Sequence, residues 1–79
     1  MINNVRTAVH PKSEAESREL IGKFYKKGYK WDDILELTEN DTNYHHHGRD
    51  TAYYVELGII KYTDLETCLK HKYHIIAYK

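Results

Sequence analysis

The chain holds one cysteine, one proline, one methionine and one phenylalanine in 79 residues. The lone cysteine, Cys68, has no internal disulfide partner, so the sequence reads as a protein of a reducing, cytoplasmic compartment. Neither sign of charge dominates: twelve Lys and Arg face twelve Asp and Glu, for a formal net charge of zero. That balance argues against a general nucleic-acid or membrane-surface binder, whose affinity rests on excess basic side chains. The longest apolar stretch, around Gly58-Ile59-Ile60, falls far short of the roughly 20 residues of a membrane span, and no membrane partner is expected. The opening Met-Ile-Asn-Asn-Val-Arg lacks the apolar segment of a secretory leader. Gly-rich phosphate loops, nucleophile elbows and paired metal-ligand motifs are all missing. Neither catalysis nor a cofactor is expected.

Aliphatic residues are also scarce. Leu, Ile, Val and Phe together number 17, about a fifth of the chain and close to the composition of disordered proteins. Eight tyrosines and Trp31 offset that scarcity. Each aromatic ring buries about 150–250 Å² while its polar tip stays wet. Tyr25, Tyr29, Tyr53, Tyr54, Tyr62, Tyr73 and Tyr78 can therefore complete a core for one small domain spanning 1–79. Tyrosine is also an interface residue, and a homodimer through an aromatic face is compatible with so short a chain.

The most distinct element is a helix over 13–27. Ser13 and Glu16 form a capping box, Leu20, Ile21, Phe24 and Tyr25 make one apolar stripe, and Gly28 stops the helix. A short half-buried strand over 4–9 precedes it and ends at Pro11. Trp31 is expected to pack back over the helical stripe. A helical turn over 32–37 leads into a polar loop at 38–50, of a length that tends to be functional or mobile. Strands follow over 52–57 and 59–63, with Tyr53, Val55 and Leu57 on one face and a hairpin at Gly58. A short helix capped by Thr63 or Asp64 runs to Lys70 with Leu65, Cys68 and Leu69 inward. A last strand covers 72–78. The expected architecture is α+β: one main amphipathic helix packed on a small, mostly antiparallel sheet, in the order β-α-loop-β-β-short α-β.

The histidine triplet His45-His46-His47 is the most conspicuous feature of the loop. In an extended chain His45 and His47 would share a face and could supply two imidazoles to zinc or nickel. No spacing selects further ligands among His10, His71, His74, Cys68 and Asp50, so no metal site is assigned. Cys68 and His71, three apart on one short helix, could in principle pair for nucleophilic catalysis, but no supporting motif surrounds them. The clustered acids Asp32, Asp33, Glu36, Glu39, Asp41 and Asp50 read as a solvated face. The expected partner surface is the loop itself, through Tyr44, His45, His46, His47, Arg49 and Asp50, together with exposed tyrosines on one face of the sheet. An alternative reading, a nucleic-acid or nucleotide binder, would use Lys26, Lys27, Tyr29 and Lys30, lysines beside stacking rings. Those same lysines are expected at any helix C-terminus, and an acidic stretch follows them directly. A protein partner is the favoured reading, with nucleic acid second.

The run Phe24-Tyr25-Lys26-Lys27-Gly28-Tyr29-Lys30-Trp31, followed by Tyr53-x-Val55-x-Leu57 and Tyr73-His74-Ile75-Ile76, resembles a loose class of small bacteriophage early proteins. In that class a helix–Gly-Tyr-x-Trp segment precedes a hairpin and an aromatic–Ile-Ile strand. The resemblance implies binding and inhibition of a host or defence protein, or sequestration of a small signalling ligand, in the host cytoplasm. It maps no functional residue onto this chain.

Overall fold

The structure, a computed structural model, describes residues 7–32 and 37–78. Among the described residues, five strands and two helices follow one another as β1 (Thr7–His10), α1 (Glu14–Lys26), β2 (Lys30–Trp31), β3 (Thr51–Glu56), β4 (Ile59–Asp64), α2 (Leu65–Lys70) and β5 (His74–Ala77). Two short 3₁₀ turns, Tyr44–His46 and Gly48–Asp50, lie between β2 and β3. The class is α+β, as the sequence implies. Among the described residues, no helix is long and apolar enough to cross a membrane.

α1 forms where its signals lie. The Ser13 side chain accepts from the Glu16 amide at 3.2 Å, and Glu16 reaches back to the Lys12 amide at 2.8 Å, one residue earlier than a standard capping box. Ser17, Leu20 and Ile21 make the buried stripe. At the other end the Tyr29 amide donates to Phe24 O and the Gly28 amide to Tyr25 O, both at 3.0 Å. This is a Schellman closure, with Gly28 at φ +93° and the Phe24 and Tyr29 rings meeting edge-on at 6.0 Å. α2 closes in the same way, its left-handed residue being Lys72 at φ 61°.

The sheet order is β2-β4-β3-β1-β5. β3 pairs antiparallel with both its neighbours, while β2–β4 and β1–β5 are parallel. The sheet is thus mixed, and only β3 runs against the rest. The sequence suggested mostly antiparallel pairing because hairpin chemistry is local and visible, as at Gly58. Parallel pairing depends on helical crossovers that join distant strands. α1 carries the chain from β1 to one edge, and α2 carries it from β4 to the other. Two crossovers running opposite ways with the same hand must lie on opposite faces, and they do. Leu20, Ile21, Trp31, Tyr53 and Ile60 form the core on the α1 side; Ala8, Ala52 and Cys68 form a smaller one on the α2 side.

Several sequence-level expectations are corrected. The first strand has two covered faces, with Ala8 buried and Val9 half-buried; its expected residues 4–6 lie outside the described residues. Lys30–Trp31, to which the sequence assigned no element, is an edge strand, and Trp31 does pack with Leu20 and Ile21 of the helix. The helical turn expected over 32–37 falls largely on residues 33–36, outside the described residues. Leu69 is 68% exposed rather than inward, since α2 has only a narrow buried face centred on Cys68. Leu57 leaves the apolar face of β3 altogether. It occupies the two-residue β3–β4 turn with Gly58, at φ 55° and 79°, and is 96% exposed.

A turn with both central φ values positive suits Asn-Gly, and a leucine in the left-handed region costs roughly 1–2 kcal/mol. Leu57→Asn should therefore raise unfolding stability by about 1 kcal/mol, read as a higher urea midpoint with an unchanged slope.

Candidate functional site

The polar segment from Thr38 to Asp50 is built onto the core by side chains that reach it from the sheet. Thr38 and Asp41 first close a turn, with the Asp41 carboxylate accepting from the Thr38 amide at 2.7 Å. The buried Trp31 then donates its indole N–H to Asp41 O at 3.1 Å. Tyr53, fully buried on the central strand, donates its hydroxyl to Thr42 O at 2.6 Å. Two consecutive loop carbonyls are thus satisfied from within the core, which is what a buried loop backbone requires. Asn43 turns the chain at φ 56°, and Tyr44 starts the first 3₁₀ turn with its amide on Thr42 Oγ1 at 3.2 Å. The Tyr44 hydroxyl donates to Lys12 O at 3.3 Å. Thr51 Oγ1 donates to Gly48 O at 2.8 Å, and the His10 imidazole meets Arg49 O.

These anchors display the histidines. His45, His46 and His47 are all exposed. The His45 and His46 rings lie 4.1 Å apart, and His46 stacks on Tyr62 at 5.4 Å with 25° between planes. His47 lies 6.0 Å from the same phenol ring. Tyr62 is in turn backed edge-on by Trp31 at 6.1 Å. The result is a continuous surface in which His46 and His47 lie on one phenol, His45 lies on His46, and the phenol is backed by the core indole. The Asp64 carboxyl borders it, held below its ordinary range chiefly by hydrogen bonding to Thr67, with a smaller contribution from His47.

Of the six residues expected at a partner surface, the histidines, Arg49 and Asp50 are exposed; Tyr44 is half-buried and acts as an anchor. Tyr62, which the sequence does not single out among the tyrosines, is the residue on which the surface is laid. No local signal marks it, because its contact with His46 crosses 16 positions of chain. The metal premise of an extended triplet does not hold, since His45 and His46 belong to a 3₁₀ turn. Among the described residues, no three His, Cys, Asp or Glu side chains converge as a metal cage.

The alternative surface is divided. Lys26, Lys27 and Lys30 are exposed, whereas Tyr29 is half-buried, its ring meeting Phe24 edge-on in the helix closure. Lys26 and Lys27 line a groove beside β5, whereas Lys30 lies on β2, at the other edge of the sheet. The candidate Cys68–His71 pair does share one hollow with Thr67 and Tyr73. Burial and the nearby Asp64 push the Cys68 thiol upward, away from the thiolate that a nucleophile needs. A further hollow of about 460 Å³, with Phe24, Tyr29, Val55, Tyr54 and Tyr73 in its wall, is mainly apolar. Comparison with protein-family models, curated proteins and solved structures finds no match to this chain.

Two expectations follow from Tyr53. Tyr53→Phe leaves the Thr42 carbonyl without its donor and should cost about 1–3 kcal/mol, measured by urea unfolding. In alkali, burial pushes Tyr53 up to about 12, and burial with the adjacent Tyr73 does the same for Tyr54, against an ordinary 10.0. Unfolding releases both to ionise at their ordinary value, so the stability they contribute is whole below pH 10 and is lost as pH rises toward 12. Absorbance at 295 nm should show two late-ionising tyrosines whose titration coincides with loss of far-ultraviolet circular dichroism.

Proposed function

We propose that this is a non-enzymatic binding protein whose contact surface is the imidazole–phenol patch of His45, His46, His47 and Tyr62, rimmed by Arg49 and Asp50. The observation that carries the reading is the way an exposed loop is fastened. Core side chains hold its backbone through Asp41 O and Thr42 O, while its three histidines are exposed. A recognition loop gains affinity when its geometry is set before contact, because less entropy is lost on binding. Aromatic rings at the centre with a charged rim match the composition of protein–protein contact surfaces. The resemblance to bacteriophage early proteins gives the proposal its finer form, an inhibitor acting in the host cytoplasm by occupying the surface of a host or defence protein.

The test is affinity capture from a bacterial lysate, with the wild-type protein beside a His45→Ala/His46→Ala/His47→Ala variant shown to be folded by circular dichroism. A Lys30→Ala variant is the control for surface charge elsewhere. The expected result is one stoichiometric protein retained by the wild type and by Lys30→Ala and lost by the triple variant. Recovery of nucleic acid alone, or of the same protein by the triple variant, overturns the proposal.

A further inference from the structure

The two edges of the sheet are treated differently. At one edge, β2 is only two residues long and carries Lys30, and a short charged strand is a common guard against further pairing. At the other, β5 runs for four residues, His74-Ile75-Ile76-Ala77, with no proline, lysine or internal glycine. Its parallel register with β1 and the bond from the Tyr78 amide to His10 O at 3.2 Å show which backbone groups are used. His74, Ile76 and Tyr78 direct their amides and carbonyls toward β1, so the alternate residues, Ile75 and Ala77, direct theirs outward.

Beside this edge, between α1 and β5, lies a groove of about 420 Å³. Leu20, Phe24, Ile76 and Tyr78 make its apolar floor, and Lys26 and Lys27 stand at its rim. Ile76 is 41% exposed there, and Lys23 Nζ sits 4.9 Å over the Tyr78 ring. Glu19, on the same helix, is engaged, accepting from the Tyr78 hydroxyl at 2.7 Å. At the start of β5 the chain is again basic, with exposed Lys70, His71 and Lys72. Among the described residues this strand edge is open, with cations gathered toward its starting end from the α1 C-terminus and the α2–β5 turn, and an apolar slot along one side.

We infer that the β5 edge accepts an extended, acidic segment of a partner protein as a sixth strand, an apolar side chain entering the groove and Asp or Glu residues meeting the flanking lysines. Strand addition of this kind draws affinity from main-chain bonds and specificity from pockets at alternate side chains. The lysines gathered toward the start of β5 set the choice of partner, since they attract an acidic segment and repel a basic one. The site is separate from the histidine patch and does not rest on it.

The probe is a library of random dodecapeptides selected on the immobilised protein, with the strongest binder then synthesised. Selected sequences should be rich in Asp and Glu around alternating β-branched residues, and affinity should fall as salt rises. On binding, the Ile75 and Ala77 amides should gain protection from hydrogen exchange. Lys26→Glu/Lys27→Glu, a surface change that leaves the fold alone, should weaken binding about tenfold or more. Ala77→Pro removes an outward donor without touching the bonds to β1 and should weaken it comparably. Failure to select any peptide, selection of basic or uncharged ones, or protection that arises elsewhere overturns the inference. Ile75 and Ala77 protection that grows with protein concentration in the absence of peptide assigns the edge to self-pairing and also overturns it.

Discussion

The hydrogen bond from the Tyr53 hydroxyl to Thr42 O joins the core to the surface of this protein. Tyr53 sits at the middle of the sheet, opposite Val9 on one side and Tyr62 on the other, and its ring meets Trp31 edge-on at 6.5 Å. A phenol so deeply buried must place its hydroxyl on an acceptor, and a loop carbonyl folded against the core must find a donor. Each requirement answers the other. Trp31 repeats the arrangement one residue earlier at Asp41 O. Among the described residues, no buried side-chain nitrogen or oxygen is left without a partner. A core poor in aliphatic side chains therefore gains something from its aromatic content, because rings with polar tips can hold a polar loop in place.

That fastening explains how a segment with so little apolar content takes a defined shape. The loop contributes few residues to the hydrophobic clusters; its shape comes from carbonyls held by the core and from local turns at Thr38–Asp41, Asn43 and Gly48. Its histidines are then free to face solvent and to lean on Tyr62. The surface is the outward continuation of a stack that begins at Trp31, so its geometry is inherited from the core.

The mixed topology has a second consequence, for the edges. Helices on opposite faces send the chain to opposite ends of the sheet. One end closes on a two-residue strand that the helix turn delivers directly; the other closes on β5, delivered by a six-residue helix with one buried residue. The zero net charge hides this asymmetry. Lysines gather around β5 from α1 and from the α2–β5 turn, although the two segments are more than 40 positions apart in the chain. Neutrality overall is compatible with a strongly signed local surface.

Local chemistry was sufficient for much of the fold. The Ser13 cap, the Leu20–Ile21–Phe24–Tyr25 stripe, the Gly28 stop and the Asp64 cap rest on hydrogen bonds and spacings within about one helical turn, and each is where the sequence places it. The exposed histidines and the inward Cys68 were legible for the same reason, since polarity and period report burial. What the sequence could not decide depends on residues far apart. The second strand at Lys30–Trp31 exists because β4 lies beside it, and Leu57 turns outward because the register of β3 on β4 spends that position on the turn. The parallel seat of β5 on β1, the role of Tyr62 beneath His46, and the grouping of lysines along an open edge are likewise products of tertiary packing. By itself the sequence determined the elements, their caps and a class built from helix and sheet. Only the tertiary structure decided strand order, direction and which side chains share a surface, because those depend on contacts that a local pattern does not encode.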